Sequence, residues 1–307
     1  FRSEKWREPA RKEWDATRKL AGTVLLWTDS RYPALLKDLP DAPIRLYCQG
    51  DMSLLGNPCV SIVGTRTCSR EGIRAAQAIA SGLAASGITV VSGLAIGIDK
   101  QAHLAALDLP GGTIAVLGAG PDVCYPKEND GLRRSIIQRG LLISEYAPGT
   151  LPDPRHFPIR NRIISGLSDA VILVEAREKS GSLITADLAL EQGKEVFAVP
   201  GRITDPLSRG CNRLIQNGAA VCLGPEDVLE AFGIKFEKKT RADKKTEKRL
   251  AKNENMVYSF LDSRSGTLEE IMDACGLSVT ETMECLLKLE LMGMVQGNGD
   301  QYYCRKL

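Results

Sequence analysis

The middle of the chain alternates short apolar runs with amphipathic segments. Seven runs of apolar or β-branched residues occur at 59–64, 88–93, 113–118, 141–145, 170–176, 195–201 and 219–224. Runs of this length fit strands that are covered on both faces. The segment 70–87 has apolar residues at helical spacing and ends on glycine, and 184–194 and 211–218 behave likewise. The alternation predicts an α/β fold, an extended Rossmann-like, doubly wound, mostly parallel sheet with right-handed crossovers.

Segments on either side of this core have other patterns. Strand patterns at 22–27 and 44–50 predict an antiparallel edge or a small flap. The first 19 residues predict one helix with Trp6 and Trp14 partly buried, the remnant of a larger N-terminal domain. The chain begins with Phe rather than Met, which suggests a truncated N-terminus.

The C-terminal pattern predicts a winged helix. Helical patterns at 253–263, 267–276 and 278–293 precede a hairpin pattern with a Gly-Asn-Gly turn. The predicted organisation is therefore an N-terminal helical remnant (1–20), a Rossmann-like domain (21–232), a basic linker (233–252) and a winged helix-turn-helix domain (253–307).

Charge is segregated along the chain although the formal net charge is only +2. Residues 1–19 carry +3, 20–232 carry −2, 233–252 carry +6 and 253–307 carry −5. The basic run is either a solvated tether or an added attraction for phosphates. No run approaches the roughly 18 consecutive apolar residues of a membrane span, and the N-terminus lacks a signal-peptide core. We therefore expect a cytoplasmic protein without a membrane partner.

The cysteines are scattered and form no CxxC pair. Such a set, without a secretion signal, predicts reduced and mostly buried thiols. Only His103 and His156 accompany them. We expect no metal site and no cofactor.

Three glycine-containing turns follow predicted strands, where parallel sheets bind ligands. In the first turn, 64–72, Gly64 allows close backbone approach, and Arg66 can clamp a phosphate at a helix N-terminus. Ser69 there either bonds a phosphate or only caps the helix. In the second, 92–103, Gly93 lies near the same pocket. Residues Asp99 and His103 are four apart, so they either pair or ligate a metal, and we favour a structural hydrogen bond.

Lys127, in the third turn, either points into the pocket or is solvated. The segment 155–168 is rich in arginine around an aromatic, as a single-strand stacking platform requires. Its candidate residues are Arg155, Phe157, Arg160, Asn161 and Arg162. A helix there would put residues 159, 163 and 167 on one apolar face and Arg160 and Arg162 elsewhere. Alternatively, Phe157 is core and the arginines pair with carboxylates.

A further helix start carries candidate phosphate ligands. Gly181 and Ser182 open this predicted helix, and Thr185 lies in its first turn. For catalysis the sequence offers only Glu145 and Glu175 as possible bases. We expect these carboxylates to hold arginines such as Arg162 in place, and we expect no enzyme.

At these motifs the chain resembles the DNA-processing protein A family, also called DprA or Smf. The resemblance rests on GTRTCS, SGLAIGID, AVLGAGPDVCYP, LISEY, FPIRNRIISGLS, SGSLITADLALEQGKEVFAVPG and GCNRLIQNGA, in this order between about 22 and 230. It implies binding of single-stranded DNA, protection of incoming DNA and loading of the RecA recombinase in natural transformation. It also implies a homodimer formed through the Rossmann domain.

The resemblance further implies a basic pocket at Arg66 and Lys127, with Phe157 as the stacking aromatic. Relatives often carry a lysine three residues before that aromatic, where this chain has Pro154. The winged helix, at −5, is better suited to contact a partner protein than DNA. The alternative function is a nucleotide-binding enzyme, an N-glycosidase of the phosphoribohydrolase type with Glu145 or Glu175 as its carboxylate.

Overall fold

A computed structural model describes residues 7–234, 251–263, 266–298 and 302–305. The chain divides into two compact units, Phe1–Phe236 and Glu237–Leu307. The domain boundaries expected from the sequence stay predictions, and most of the basic linker lies outside the described residues. In the described ranges, no helix is both long and apolar enough to cross a membrane.

A nine-stranded sheet forms the centre of the first unit. Its strands run in the order β1-β2-β6-β5-β4-β3-β7-β8-β9. The pairs β1–β2 and β2–β6 are antiparallel, and every other neighbouring pair is parallel. This confirms the doubly wound, mostly parallel fold. The strands are β1 Thr23–Leu26, β2 Arg45–Gly50, β3 Cys59–Val63, β4 Thr89–Ser92, β5 Thr113–Leu117, β6 Leu141–Ser144, β7 Ala170–Leu173, β8 Glu195–Ala198 and β9 Ala220–Val221.

The helices of this unit cover both faces of the sheet. They are α1 Arg7–Lys19, α2 Ala34–Lys37, α3 Arg70–Ala85, α4 Ile98–Ala106, α5 Asp130–Arg139, α6 His156–Gly166, α7 Gly181–Glu191, α8 Arg209–Gln216 and α9 Pro225–Ala231. Strand β3 shows why its residues favour a central strand: Val60 and Ile62 pack into one core and Cys59 and Val63 into another. The expectation for Trp14 was wrong, since 56% of its surface is exposed on α1; Trp6 lies outside the described residues.

The second unit is small and helical with a three-stranded sheet. Its helices are α10 Lys252–Ser263, α11 Leu268–Cys275 and α12 Val279–Leu291, and its strands are β10 Gly266–Thr267, β11 Val295–Asn298 and β12 Tyr302–Arg305. Capping boxes at Thr267 and Ser278 start the second and third helices. The antiparallel β11–β12 pair is the wing. The predicted winged helix is thus confirmed, although the tip of its hairpin lies outside the described residues.

Candidate nucleic-acid interface

The topological switch point of the sheet lies between β3 and β7, where the strand order reverses direction. The loops after these strands meet at the carboxyl edge: Thr65 N donates to Glu175 O at 2.8 Å. In doubly wound sheets this is the position where ligands bind. Gly64 is required there, because a Cβ would lie 2.7 Å from Cγ1 of Ile98.

The N-terminus of α3 is already occupied by a carboxylate of the chain itself. Oε2 of Glu175 accepts from Ser69 N at 2.9 Å, and Oε1 accepts from the Ser69 hydroxyl at 2.5 Å. The same hydroxyl accepts from Gly72 N and so caps the helix. The structure therefore places Ser69 in the capping role of the two that the sequence left open. Glu175 holds this serine, not an arginine as the sequence suggested.

The turn after β4 is bonded differently from the sequence expectation. Asp99 Oδ2 accepts from Gly93 N at 3.1 Å and from Ala95 N at 3.4 Å. His103 instead bonds Thr113 through Nδ1 at 2.7 Å. The expected Asp99–His103 hydrogen bond was therefore wrong, because each side chain has a partner from another segment. In the described part of the chain, no group of three or more His, Cys, Asp or Glu side chains is placed to hold a metal.

Helix α6 places its three candidate arginines in three environments. Arg160 is 5% exposed and donates through Nη1 to the Gly93 carbonyl at 2.8 Å and to the Val116 carbonyl. Arg162 is paired with Asp41 and Glu145. This agrees with the alternative prediction that the arginines of this segment pair with carboxylates.

The third arginine, Arg155, is 84% exposed at its side chain and pairs with Asp153 at 2.7 Å. The expectation that Arg160 and Arg162 lie off the buried face was wrong, because backbone carbonyls and carboxylates compensate their burial.

Two adjoining cavities lie at this edge of the sheet, with volumes of about 490 and 400 Å³. Both are within the range of protein ligand sites. They share the residues Arg66, Ala95, Tyr125, Phe157 and Arg160. The larger cavity, which we call the phosphate cavity, is also lined by Gly64, Asn161, Gly181, Ser182 and Thr185. The smaller one, the aromatic cavity, is also lined by Gly93, Ile96 and Lys127.

The structure thus brings together most of the residues singled out in the sequence. Three of them line neither cavity: Ser69, Arg155 and Arg162. The N-terminus of α7 lines the phosphate cavity through Gly181 and Ser182, so the positive end of its dipole lies at a cavity that Arg66 also lines. The Ser182 N–H is bonded to the Ser180 hydroxyl.

Aromatic rings and cations are interleaved where the cavities meet. The rings of Tyr125 and Phe157 are 5.3 Å apart and tilted by 35°. The guanidinium carbons of Arg66 and Arg160 each lie 5.9 Å from the Phe157 ring centre. Phe157 also packs so closely on the sheet that a Cβ at Gly118 would be 2.8 Å from its ring. The aromatic is therefore half-buried, with two guanidinium groups close to its ring.

The two exposed cations differ from the buried one in their neighbours. Among the described residues, neither Arg66 nor Lys127 forms an ion pair, so both remain available to an anion. Burial lowers the pKa of Arg160 to about 10, and the nearby Asp99 carboxylate opposes this shift. Arg160 therefore stays charged at neutral pH behind the Phe157 ring.

Sequence reasoning missed Tyr125 and the placement of Asp99 in the cavity wall. Tyr125 is 43% exposed and lines both cavities. An aromatic directly before the Pro-Lys of a strand-end turn was the available signal. Asp99 lines the phosphate cavity, but its carboxylate is turned to backbone N–H groups of the turn.

The two carboxylates considered as catalytic bases lie elsewhere. Glu145 is bonded to Arg162 at 2.8 Å, and Glu175 is bonded to Ser69, the N-cap of α3. Neither lines the phosphate cavity or the aromatic cavity. The side chains at the cavities are therefore mainly cations and aromatic rings, not catalytic carboxylates.

Fold and site together define a parallel α/β protein with a basic, aromatic cleft at the carboxyl edge of its sheet and a winged helix at its C-terminus. The family model for DNA recombination-mediator protein A matches residues 23–233, and that for the DprA winged helix domain matches 241–300. The chain belongs to the DNA recombination-mediator protein A family, which confirms the resemblance seen in its motifs.

Relatives are similar over most of the chain. The DNA processing protein DprA of Streptococcus pneumoniae is 48% identical over 204 residues, which are 66% of this chain and 72% of the relative. The protein Smf of Escherichia coli K12 is 38% identical over 272 residues, which are 86% and 72% of the two chains.

Two solved structures have the same fold. That of DprA from Streptococcus pneumoniae gives a TM-score of 0.65 at 47% identity, covering 70% of this chain and 74% of that one. That of DprA from Helicobacter pylori gives 0.63 at 34% identity, covering 69% and 95%. The latter is described for its binding mode with single-stranded DNA.

Proposed function

We propose that this protein binds single-stranded DNA in the phosphate cavity and the aromatic cavity, without catalysing a reaction on it. The observation that carries the proposal is the half-buried Phe157 ring, which has Arg66 and Arg160 each 5.9 Å from its centre and lines the same cavity as the α7 N-terminus. Phosphates are drawn to Arg66, Lys127 and the helix N-terminus, and a base stacks on the exposed part of the ring.

Single strands are favoured over duplexes because stacking requires an unpaired base. Phe157 and Tyr125 lie in the cleft and not on a raised surface that could enter a groove. In a duplex both faces of each base are already covered by neighbours. The description of the Helicobacter pylori relative supports the same ligand class for this chain.

Replacement of Phe157 tests the stacking part of the proposal. Phe157→Ala should weaken binding of an oligothymidine strand by about five- to 150-fold, since stacking contributes about 1–3 kcal/mol per base. Fluorescence anisotropy at fixed salt measures this, with a duplex of the same length as competitor.

The matched control for this measurement is Tyr32→Phe. Tyr32 is a buried aromatic whose hydroxyl bonds the Pro43 carbonyl, and it lines neither cavity. Equal binding of Phe157→Ala and wild type, or better competition by the duplex than by a single strand, would contradict the proposal.

We further propose that the bound strand is protected and handed to the RecA recombinase in natural transformation. Membership of a recombination-mediator family and similarity to the pneumococcal DNA processing protein support this role.

A homodimer through the Rossmann unit would double the site and add avidity. In its edge strand β9, Val221 is 42% exposed, and Leu223, two residues after the strand, is 79% exposed. Sedimentation of wild type and Leu223→Glu tests this interface. We expect the variant to sediment as a monomer, and a dimer in the variant would show that this edge of the sheet is not the dimer interface.

The winged helix is proposed as a protein-contact module. Helix α12 exposes large apolar side chains four residues apart: Val279, Met283, Leu287 and Leu291, from 48% to 80% exposed. Such a stripe suits another apolar surface, not phosphates. The cation of this helix, Lys288, is already paired with Glu254 at 3.3 Å.

A double substitution on this stripe separates protein contact from DNA contact. Met283→Glu with Leu287→Glu should leave single-strand affinity within twofold of wild type. It should slow recombinase filament assembly on coated strands, measured by fluorescence on a labelled oligonucleotide. Glu284→Gln, on the charged side of the same helix next to Lys288, is the matched control. A weakened DNA affinity, or unchanged filament assembly, would argue against this role.

A further inference from the structure

Leu94, in the turn after β4, has a backbone conformation that is unusual for its residue type. Its φ is +56°, in the left-handed region, and its side chain is 1% exposed. A branched residue adopts this conformation only where its surroundings impose it. Its neighbours Gly93 and Ala95 line the aromatic cavity, so the conformation of this turn shapes the cavity wall.

Three buried polar side chains hold the turn from three segments. The Asp99 carboxylate accepts from the N–H groups on both sides of Leu94, and Arg160 donates to the Gly93 carbonyl. Asn129 Nδ2 donates to the Leu94 carbonyl at 2.9 Å, and this asparagine is fully buried. Four backbone groups of this turn are thus bonded to these three side chains: the N–H and the carbonyl of Gly93, the Leu94 carbonyl and the Ala95 N–H.

The same turn connects the loops that carry the two exposed cations. Asn129 lies two residues after Lys127 in one short 3-10 turn. On the other side, Ile98 N donates to the Thr65 carbonyl at 3.2 Å, next to Arg66. A Cβ at Gly97 would lie 2.6 Å from the Arg66 carbonyl oxygen, so the two backbones are in direct contact.

We propose that Asn129 is a positioning residue of the DNA site: through the Leu94 carbonyl it fixes where Lys127 lies relative to Arg66. Its side chain has no exposed surface and cannot touch DNA, so its effect passes through the turn. The inference rests on the proposed function. Since a polynucleotide has fixed spacing between phosphates, two cations must be held at a matching spacing to bind together.

The variant Asn129→Ala tests this directly. It removes the Leu94 bond and should weaken single-strand binding about tenfold, while the folded fraction stays above nine-tenths by circular dichroism. Thr89→Val is the matched control, since Thr89 lies at the other end of β4 and the change removes the buried bond from its hydroxyl to the Gly111 carbonyl. The control should lose stability without losing affinity. Should Asn129→Ala not fold, Asn129→Ser takes its place.

A double-mutant cycle with Lys127→Ala distinguishes positioning from a general loss of structure. If Asn129 acts through Lys127, Asn129→Ala should change affinity less than twofold in the Lys127→Ala background. The same tenfold loss in both backgrounds, or wild-type affinity of Asn129→Ala, overturns the inference. Arg66→Ala is measured alongside: if it binds normally, the proposed function itself fails, and if it alone weakens binding, only the role of Asn129 fails.

Discussion

Arg160 and Arg162 are two residues apart on α6 and have unrelated roles. Helical geometry points them to different sides, one beneath the Phe157 ring and the other toward Asp41 and Glu145. The sequence predicted both as candidate DNA ligands off the apolar face, with pairing to carboxylates as the alternative, and the Arg162–Glu145 pair follows that alternative. The compensating partners, such as the Gly93 and Val116 carbonyls, come from strands far away in the chain. No local pattern could reveal them, whereas Arg66, in a strand-end turn, could be predicted.

At the same scale, His103 should make stability depend on pH. It is fully buried, and burial lowers its pKa to about 3, from about 6.5 when unfolded. The folded state therefore binds fewer protons than the unfolded state. The contribution of His103 to the free energy of unfolding is fully present above pH 6.5 and is lost as the pH drops from 6.5 toward 3. Between pH 7.5 and 5 the loss from this group is about 2 kcal/mol.

Urea unfolding at both pH values measures this loss. His103→Phe should be less stable at pH 7.5, because Thr113 loses its partner, but should lack the His103 part of the pH dependence. An identical pH dependence of the two proteins would show that His103 has the same pKa in the folded and unfolded states, and would contradict its burial as a neutral side chain.

Two helices that begin at the switch point differ in what lies at their N-termini. At the start of α3, Glu175 accepts from the N–H and the hydroxyl of the N-cap residue Ser69, whereas the start of α7 lines the phosphate cavity. The sequence treated both helix starts as anion sites, since both have glycine and serine at the end of a strand. The difference depends on the Glu175 side chain, about a hundred residues away in the chain from Ser69. The sequence was enough to predict where the two helices begin, but not which group lies at each N-terminus.

Gly72, in the first turn of α3, gives a prediction for this element. A Cβ there would lie 2.3 Å from the Glu175 carboxylate. Gly72→Ala should therefore destabilise the protein, although alanine normally stabilises a helix by about 1 kcal/mol over glycine. Glu175→Ala alone should cost about 2 kcal/mol through the unpaired Ser69 N–H.

Combining the two changes tests their coupling in thermal or urea unfolding. Gly72→Ala should become neutral or stabilising in the Glu175→Ala background, because the clash is gone. Gly82→Ala is a comparison on the same helix, where a Cβ would lie 2.4 Å from Pro225 instead. It should destabilise equally in both backgrounds. If the losses in free energy of unfolding for Gly72→Ala and Glu175→Ala simply add in the double variant, the contact between position 72 and the Glu175 carboxylate is contradicted.

For the whole molecule, strand order is what turns separate motifs into one site. The turns after β3, β4 and β5 and the starts of α6 and α7 all meet at the carboxyl edge of one sheet. Apolar runs and glycines were enough to predict parallel strands and this shared edge. The contact of Tyr125 with Phe157 was not predictable, because it depends on how two loops of different length pack across the edge. The winged helix was predictable because its caps and hairpin are local signals.

The most direct test of the central claim is the salt dependence of single-strand binding. Each phosphate contact contributes about 0.7 to the slope of log affinity against log salt for single strands. Arg66→Ala with Lys127→Ala should therefore lower the slope by about 1.4 and weaken binding at every salt concentration. Arg134→Ala, which removes an exposed arginine of α5 paired with Asp130, should leave the slope unchanged. A slope and an affinity equal to wild type in the double variant would contradict a DNA site in these cavities.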